Sequence, residues 1–370
     1  MPYLRAHVVG SMLRPPELLR SAASLRQGQM DVAEFRRIED RAVDEAIAIQ
    51  ERAGIDLITD GEQRRLAFGD VFGQSVTGIE PVAPRAAGHG PLWRGGDEAS
   101  RRLEIASPTG GIIVDRLRRG ESKAAQEFVY ARARARGPVK VTLPSPTMLM
   151  ASWSPERSTQ AYATLSDALD DVVDILRQEV HALAQLGCKH VQFDAPETTF
   201  ALDENSIMLR AAGRSRESFC AEVVERLNQV AIEPGVEFSV HFCRGNARGH
   251  WHSAGGYGAI SKLVFPHLAK FSYVLLEFDS ERAGTFEPLS DLPESCCAVL
   301  GLITTKSGRL EPREHLTARI EQAAKILPRE RLAISPQCGF ASDAGGNPLT
   351  AEEQLAKLER VRQMADEVLR

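Results

Sequence analysis

Four residues in the second half of the chain carry side chains that ligate soft metal ions: His241, Cys243, Glu277 and Cys338. His241 and Cys243 lie two apart in an apolar run, and alternate side chains of a strand point the same way, so both can reach one ion. Glu277 sits in a second apolar run, where a carboxylate needs a partner. Cys338 follows Pro336-Gln337 and precedes Gly339, a setting poorly suited to simple packing. Taken singly, His241 reads more readily as a hydrogen-bonded core histidine and Cys243 as a small buried hydrophobe. As a set, two thiolates and an imidazole favour zinc over magnesium or calcium, which prefer oxygen donors. Such a thiolate-rich site is a poor activator of water and a better holder of a further thiol, which it deprotonates near neutral pH. The expected chemistry is alkyl transfer to a metal-bound thiolate, with Glu277 the ligand that gives way.

Other polar residues also lie where strands are expected to end. Glu62 and Asp194 suit a substrate ammonium; the plainer alternative pairs each with a nearby arginine such as Arg65 or Arg244. His7, Gly10 and Ser11 end the first apolar stretch, and the amides of Gly10 and Ser11 suit a carboxylate. His250, His252 and Lys306 are candidate proton donors or anion contacts, or plain loop residues. Arg132, Arg134 and Arg136 read as a solvated helix end, with an anion-binding patch as the alternative.

The elements that must position these residues follow from periodicity. Apolar stretches at 7–10, 55–59, 139–143, 190–193, 237–243, 273–278, 298–303 and 332–335 read as eight strands. Helical patterns separate most of them, at 31–53, about 122–136, about 156–186, about 217–231, 311–326 and 350–369. Asp31 with Glu34, and Thr350 with Glu353, are start signals. Strand–helix alternation implies a parallel sheet, and eight units imply a (β/α)8 TIM barrel with its chemistry at the C-terminal strand ends. The expectation is one α/β domain over 1–370, with an insertion at 80–138 between the second and third strands. That insertion should hold a hairpin around 91–113, and it is a candidate dimer surface.

The chain has 370 residues, 43% hydrophobic and 26% charged, the profile of a globular protein. A net charge of −5 offers no bulk attraction to nucleic acid or anionic membrane. No apolar run approaches the roughly 20 residues that span a bilayer, and the N-terminus lacks a signal-peptide core. Six cysteines, sparse and irregularly spaced, are expected to be reduced. A cytoplasmic protein with small-molecule partners is expected.

Val9-Gly10-Ser11, Asp60-Gly61-Glu62 with Arg65, Gln192-Phe193-Asp194 with Pro196, the His241–Cys243 pair, Glu277 and Cys338-Gly339 together resemble the catalytic barrel of cobalamin-independent methionine synthase. The resemblance implies zinc held by His241, Cys243, Glu277 and Cys338, and homocysteine held by Val9, Gly10, Ser11, Glu62 and Asp194. It also has departures. The 370 residues are expected to hold one barrel, about half the length of the full two-barrel synthase; Leu143-Pro144-Ser145-Pro146 lacks the family's folate-stacking tryptophan, and its Arg-Cys folate contact is not evident. Thr305-Lys306 stands where its histidine proton donor is expected, which makes Lys306, with His252, the candidate catalytic residues. Cys243-Arg244-Gly245-Asn246, Gly255-Gly256-Tyr257, Leu300-Gly301-Leu302 and Cys338-Gly339-Phe340-Ala341-Ser342 are similar to short single-barrel members of this superfamily. Epoxyalkane:coenzyme M transferases are among the proteins they resemble.

Three functions are compatible with these residues. The first is zinc-dependent S-methylation of homocysteine, giving methionine from an unspecified methyl donor. The second is an alkyltransferase or lyase joining another thiol, such as coenzyme M, to an epoxide, with Arg14, Arg65, Arg244 and Lys306 meeting the sulfonate. The third is a barrel that binds zinc or a thiol without turnover.

Overall fold

A computed structural model describes residues 4–369 except 83–84, 87–92, 96–103, 106–109, 204–205, 207–208 and 210–212. The short continuous apolar runs become strands because both of their faces can be buried. Numbering the longer strands in chain order gives β1 (Val76–Pro81), β2 (Gly111–Arg119), β3 (Lys140–Pro144), β4 (His190–Asp194), β5 (Glu237–Phe242), β6 (Phe271–Glu277), β7 (Cys297–Ile303) and β8 (Leu332–Pro336). Strands β3 to β8 form one parallel sheet in sequential order. The segments expected as the first two strands join by single parallel bridges: Ala6 with Ile334, His7 with Leu57, and Ile58 with Val139. The result is an α/β fold built on a parallel sheet.

The longer helices are α1 (Pro16–Arg26), α2 (Val32–Arg52), α3 (Lys123–Arg132), α4 (Leu165–Gln185), α5 (Arg216–Val230), α6 (Arg313–Ala324) and α7 (Ala351–Val368). Asp31 caps α2 by accepting the Glu34 amide at 2.8 Å. The expected helix over 156–186 is divided: a four-residue turn at Pro155–Ser158 precedes a fresh start at Leu165. The reason is local. Thr164 accepts the Asp167 amide and Asp167 accepts the Thr164 amide, a capping box that begins a new helix. Helix α1 was not expected; Pro16 opens it, in the position where proline loses nothing. Arg132, Arg134 and Arg136 are exposed, Arg134 lying over Tyr130 and pairing with Asp44, so that helix end is solvated.

The hairpin differs from the expected one. Strands β1 and β2 pair antiparallel, Ile79 opposite Ile113, so its first strand begins at Val76. Pro91, taken as its start, lies outside the described residues.

The main apolar cluster lies between sheet and helices and includes the α4 stripe Leu169, Val172, Val173, Leu176 and Val180. A small separate cluster joins Val9, Leu275, Val299 and Ala333. These come from four different segments of the sheet region, and Leu275 lies one pleat before Glu277. Asp194 and Glu277 are the last residues of β4 and β6, His241 is the penultimate residue of β5, and Cys338 lies just past β8. The candidate ligands are therefore gathered at one end of the parallel sheet, the end that carries chemistry in such folds.

Gly301 allows these ends to converge. A Cβ there would stand 2.8 Å from Gln337 Cα and 2.9 Å from the Leu276 carbonyl, both backbone atoms. Gly301→Ala is expected to cost about 1–3 kcal/mol, read as a lower urea midpoint with unchanged slope.

Candidate metal centre and its surroundings

Strand β5 delivers His241 and, one pleat on, Cys243; β6 delivers Glu277; the turn after β8 delivers Cys338. Their ligand atoms all lie within 4.8 Å of one another, and all four side chains are buried. The two sulfurs are 3.6 Å apart. That is far beyond a disulfide, and it matches the separation of about 3.8 Å expected for two thiolates on one tetrahedral zinc. Neither ring nitrogen of His241 has a hydrogen-bond partner, an unusual cost for a buried imidazole. The donor set therefore fits a thiophilic cation.

The electrostatics are those of groups crowded out of water. Cys243 and Cys338 share one proton: the bond from Cys243 holds the Cys338 thiol well below its usual range, while the same bond and burial push Cys243 up. Burial works against an imidazolium at His241, but Cys338, Asp194 and Glu277 outweigh it and raise the group. Burial raises Glu277, with Lys306 opposing.

Backbone and polar side chains fix the donors. Glu277 Oε1 accepts the Arg244 amide at 2.8 Å, and the Gly245 amide points to Cys243 Sγ at 3.3 Å. Tyr257 accepts the Glu277 amide at 3.0 Å and donates to the Phe242 carbonyl at 3.1 Å, tying β5 to β6. Asn246 donates to the Gly339 carbonyl at 2.7 Å and accepts from Asn347 at 2.9 Å, joining the two cysteine loops. Tyr257 was quoted only as part of a motif, and Asn347 carried no signal; their partners lie 20 and 101 residues away in the chain.

Lys306 and Arg282 flank the centre. Lys306 Nζ is 3.8 Å from Glu277 Oε2 and 3.9 Å from Asp279, and Arg282 is 3.7 Å from the same Glu277 oxygen. His252 bonds Ser253 Oγ at 2.7 Å and packs against Phe200 and Trp93. Burial, then Lys306, Arg244 and Arg282, lower its pKa to about 3. The imidazole is thus neutral at neutral pH, so the structure brings Lys306, rather than a charged His252, up to the donor set. His250 is buried in the same loop.

Glu62 Oε1 accepts from Thr142 at 2.7 Å, while its buried Oε2 has no hydrogen-bond partner. The expected Arg65 alternative is weak: Arg65 is 3.9 Å from Glu62 but bonds Glu127 at 2.6 Å. Asp194 is paired in register with His241 and accepts from Gln192 at 2.8 Å, with no ion pair to Arg244. Gly10 lies against Glu62, where a Cβ would come 2.3 Å from Oε1. Ser11 is locked to the last loop, its carbonyl accepting from Phe340 and its hydroxyl from Ala341. Val9 packs in the small cluster near Leu275, and His7 bonds the Leu4 carbonyl beside Tyr273, away from the donors.

Of the arginines expected to meet a sulfonate, Arg14 and Arg65 are engaged by carbonyls and Glu127, whereas Arg244 keeps its buried Nε and Nη1 without a hydrogen-bond partner. Arg14 donates to the carbonyls of Glu62, Arg65, Ala341 and Asp343. Arg244 donates to Gly255 and Arg282 carbonyls and lies over Tyr257.

A family model for the catalytic domain of cobalamin-independent synthase matches residues 4–367. The chain belongs to that family. An uncharacterized protein of Bacillus subtilis, YxjH, is 31% identical over 99% of this chain and 95% of its own length. A methionine synthase of Thermococcus kodakarensis is 24% identical over 92% of this chain and 88% of its own. The fold is that of a B12-independent methionine synthase from Shewanella sp. W3-18-1, solved with selenomethionine, at a TM-score of 0.70, 18% identity and coverage of 98% and 97%. Among the described residues of this synthase-family chain, no helix is long and apolar enough to cross a membrane.

Burial pushes the Glu62 carboxyl up to about 8, against the pull of Arg65. Between about pH 4.5 and 8 the unfolded chain releases this proton while the folded chain keeps it, so stability falls as pH rises, by at most about 1.4 kcal/mol per unit. Glu62→Gln removes that slope. The difference between the two proteins' urea-unfolding free energies should therefore widen in favour of the variant from pH 5 to pH 8.

Proposed function

We propose that this chain binds zinc through His241, Cys243, Glu277 and Cys338 and methylates the thiol of homocysteine. The observation that carries the reading is the four-donor cluster, with its unpartnered imidazole, together with the buried carboxyls of Glu62 and Asp194. The family supports methyl transfer, and the comparably short Thermococcus relative is named a methionine synthase. We also infer that the three single bridges close the parallel sheet into an eight-stranded barrel forming one domain. In that barrel, residues 80–138 are an insertion between the second and third strands.

Zinc, when bound, supplies a Lewis acid that keeps a substrate thiol ionised near neutral pH. The remaining work falls to side chains. Glu62 and Asp194 hold the substrate ammonium; burial raises them to about 8 and about 6, and an arriving cation favours their ionised forms. The amides of Gly10 and Ser11 receive the carboxylate. Lys306 and Arg282 keep the Glu277 oxygen compensated whether or not it ligates, and Lys306 gives a proton to the departing donor. The engaged state of Arg14 and Arg65 favours this reading over sulfonate recognition.

Cys243→Ser and Cys338→Ser should each lose stoichiometric zinc, measured by elemental analysis. Cobalt-substituted protein should gain a sulfur-to-cobalt charge-transfer band on titration with homocysteine and not with coenzyme M. Metal-loaded protein that gives no band with homocysteine would sink the proposal. Lys306→Ala should keep its zinc and slow methyl transfer, most of all from donors with poor leaving groups; unchanged turnover would remove its role as proton source.

A further inference from the structure

The inward face of β3 carries two polar residues with no place in the chemistry above. Thr142 donates to Glu62 at 2.7 Å and accepts from Arg65 at 3.0 Å. One pleat earlier stands Lys140, 2% exposed, with its ammonium inside the protein. That ammonium donates to the Val8 carbonyl at 2.7 Å and to Gln192 Oε1 at 2.5 Å. Its bond to Oε1 settles which way the Gln192 amide faces. The Gln192 amide nitrogen therefore points up the strand and donates to Asp194 Oδ1 at 2.8 Å. The three residues form a ladder of hydrogen bonds from the interior to the end of the sheet where the donors collect. Val8 leads directly into Val9-Gly10-Ser11, so the same ammonium also ties the segment proposed to hold the substrate carboxylate.

Burying an ammonium is costly, and a methionine of similar volume would fill the space without that cost. Burial presses Lys140 down to about 7, with Asp194 and Glu62 opposing. A group held under such strain is informative when its contacts all lead to one place.

We propose that Lys140 is a positioning residue for recognition of the amino-acid end of the substrate. It ties Val8 to Gln192 and, through Gln192, holds Asp194 in the orientation that receives an ammonium. The inference rests on the homocysteine reading and adds the device that gives it selectivity.

The test compares homocysteine with its des-amino analogue mercaptobutanoate, each titrated into cobalt-substituted protein by the charge-transfer band. The unaltered protein should prefer homocysteine. Lys140→Met should keep its metal content, bind mercaptobutanoate somewhat more weakly through the lost Val8 tie, and lose about ten-fold more affinity for homocysteine than for mercaptobutanoate, the scale of one charge-assisted hydrogen bond. A general loss of structure would weaken both ligands alike. Gln192→Met, which leaves Lys140 on Val8, should lose the same preference and carries the test if Lys140→Met does not fold. Full preference retained in either folded variant overturns the positioning role while leaving the homocysteine reading intact. No preference in the unaltered protein overturns the homocysteine reading, and this inference with it.

Discussion

Four buried donors gathered within 4.8 Å of one another constrain everything around them. Two sulfurs 3.6 Å apart, an imidazole with neither nitrogen bonded, and a carboxylate are held in one water-poor volume. Left as they are, they can only share protons, as Cys338 does with Cys243. The surrounding architecture resists their separation. Tyr257 joins β5 to β6, Asn246 joins the two cysteine loops, and Gly301 lets the chain after β8 approach β7 and β6 without a side chain between them.

Around the donors, charge is arranged in two sectors. On one side Lys306 and Arg282 face Glu277 and Asp279, giving a cationic flank. On the other, Glu62 and Asp194 lie near strand ends with raised pKa values, giving an acidic flank that a cation would relieve. A zwitterionic thiol suits such a division, because its ammonium and its sulfur make opposite demands. Arg14 and Arg244 bind carbonyls as struts between loops, and Arg65 binds Glu127 while lying 3.9 Å from Glu62.

Much of the candidate site was legible in the chain because its residues are carried by short local motifs. His241 and Cys243 are one pleat apart, Glu277 closes an apolar run, and Glu62 follows Asp60-Gly61. The strand order also followed from alternation of element types, since parallel strands need helical crossovers. Misreadings had local causes of another kind. The helix over 156–186 was read as continuous because no glycine or proline interrupts residues 156–164, whereas the Thr164–Asp167 box restarts it. Helix α1 was missed because Pro15-Pro16 reads as a break in the chain, although Pro16 stands at the helix start.

The sequence by itself determined which side chains are available for ligation, that strands would end in polar residues, and that those strands would be parallel. These depend on neighbours within a few residues, where side-chain alternation and capping act. Only the tertiary structure decided the partners. Arg65 turns to Glu127, 62 residues away, more closely than to Glu62 beside it; Lys140 reaches Val8 across 132 residues; and burial, helped by three nearby cations, holds His252 neutral. Such pairings are set by which strand ends converge and by how little water is left between them. Neither quantity is encoded in any one stretch of the chain.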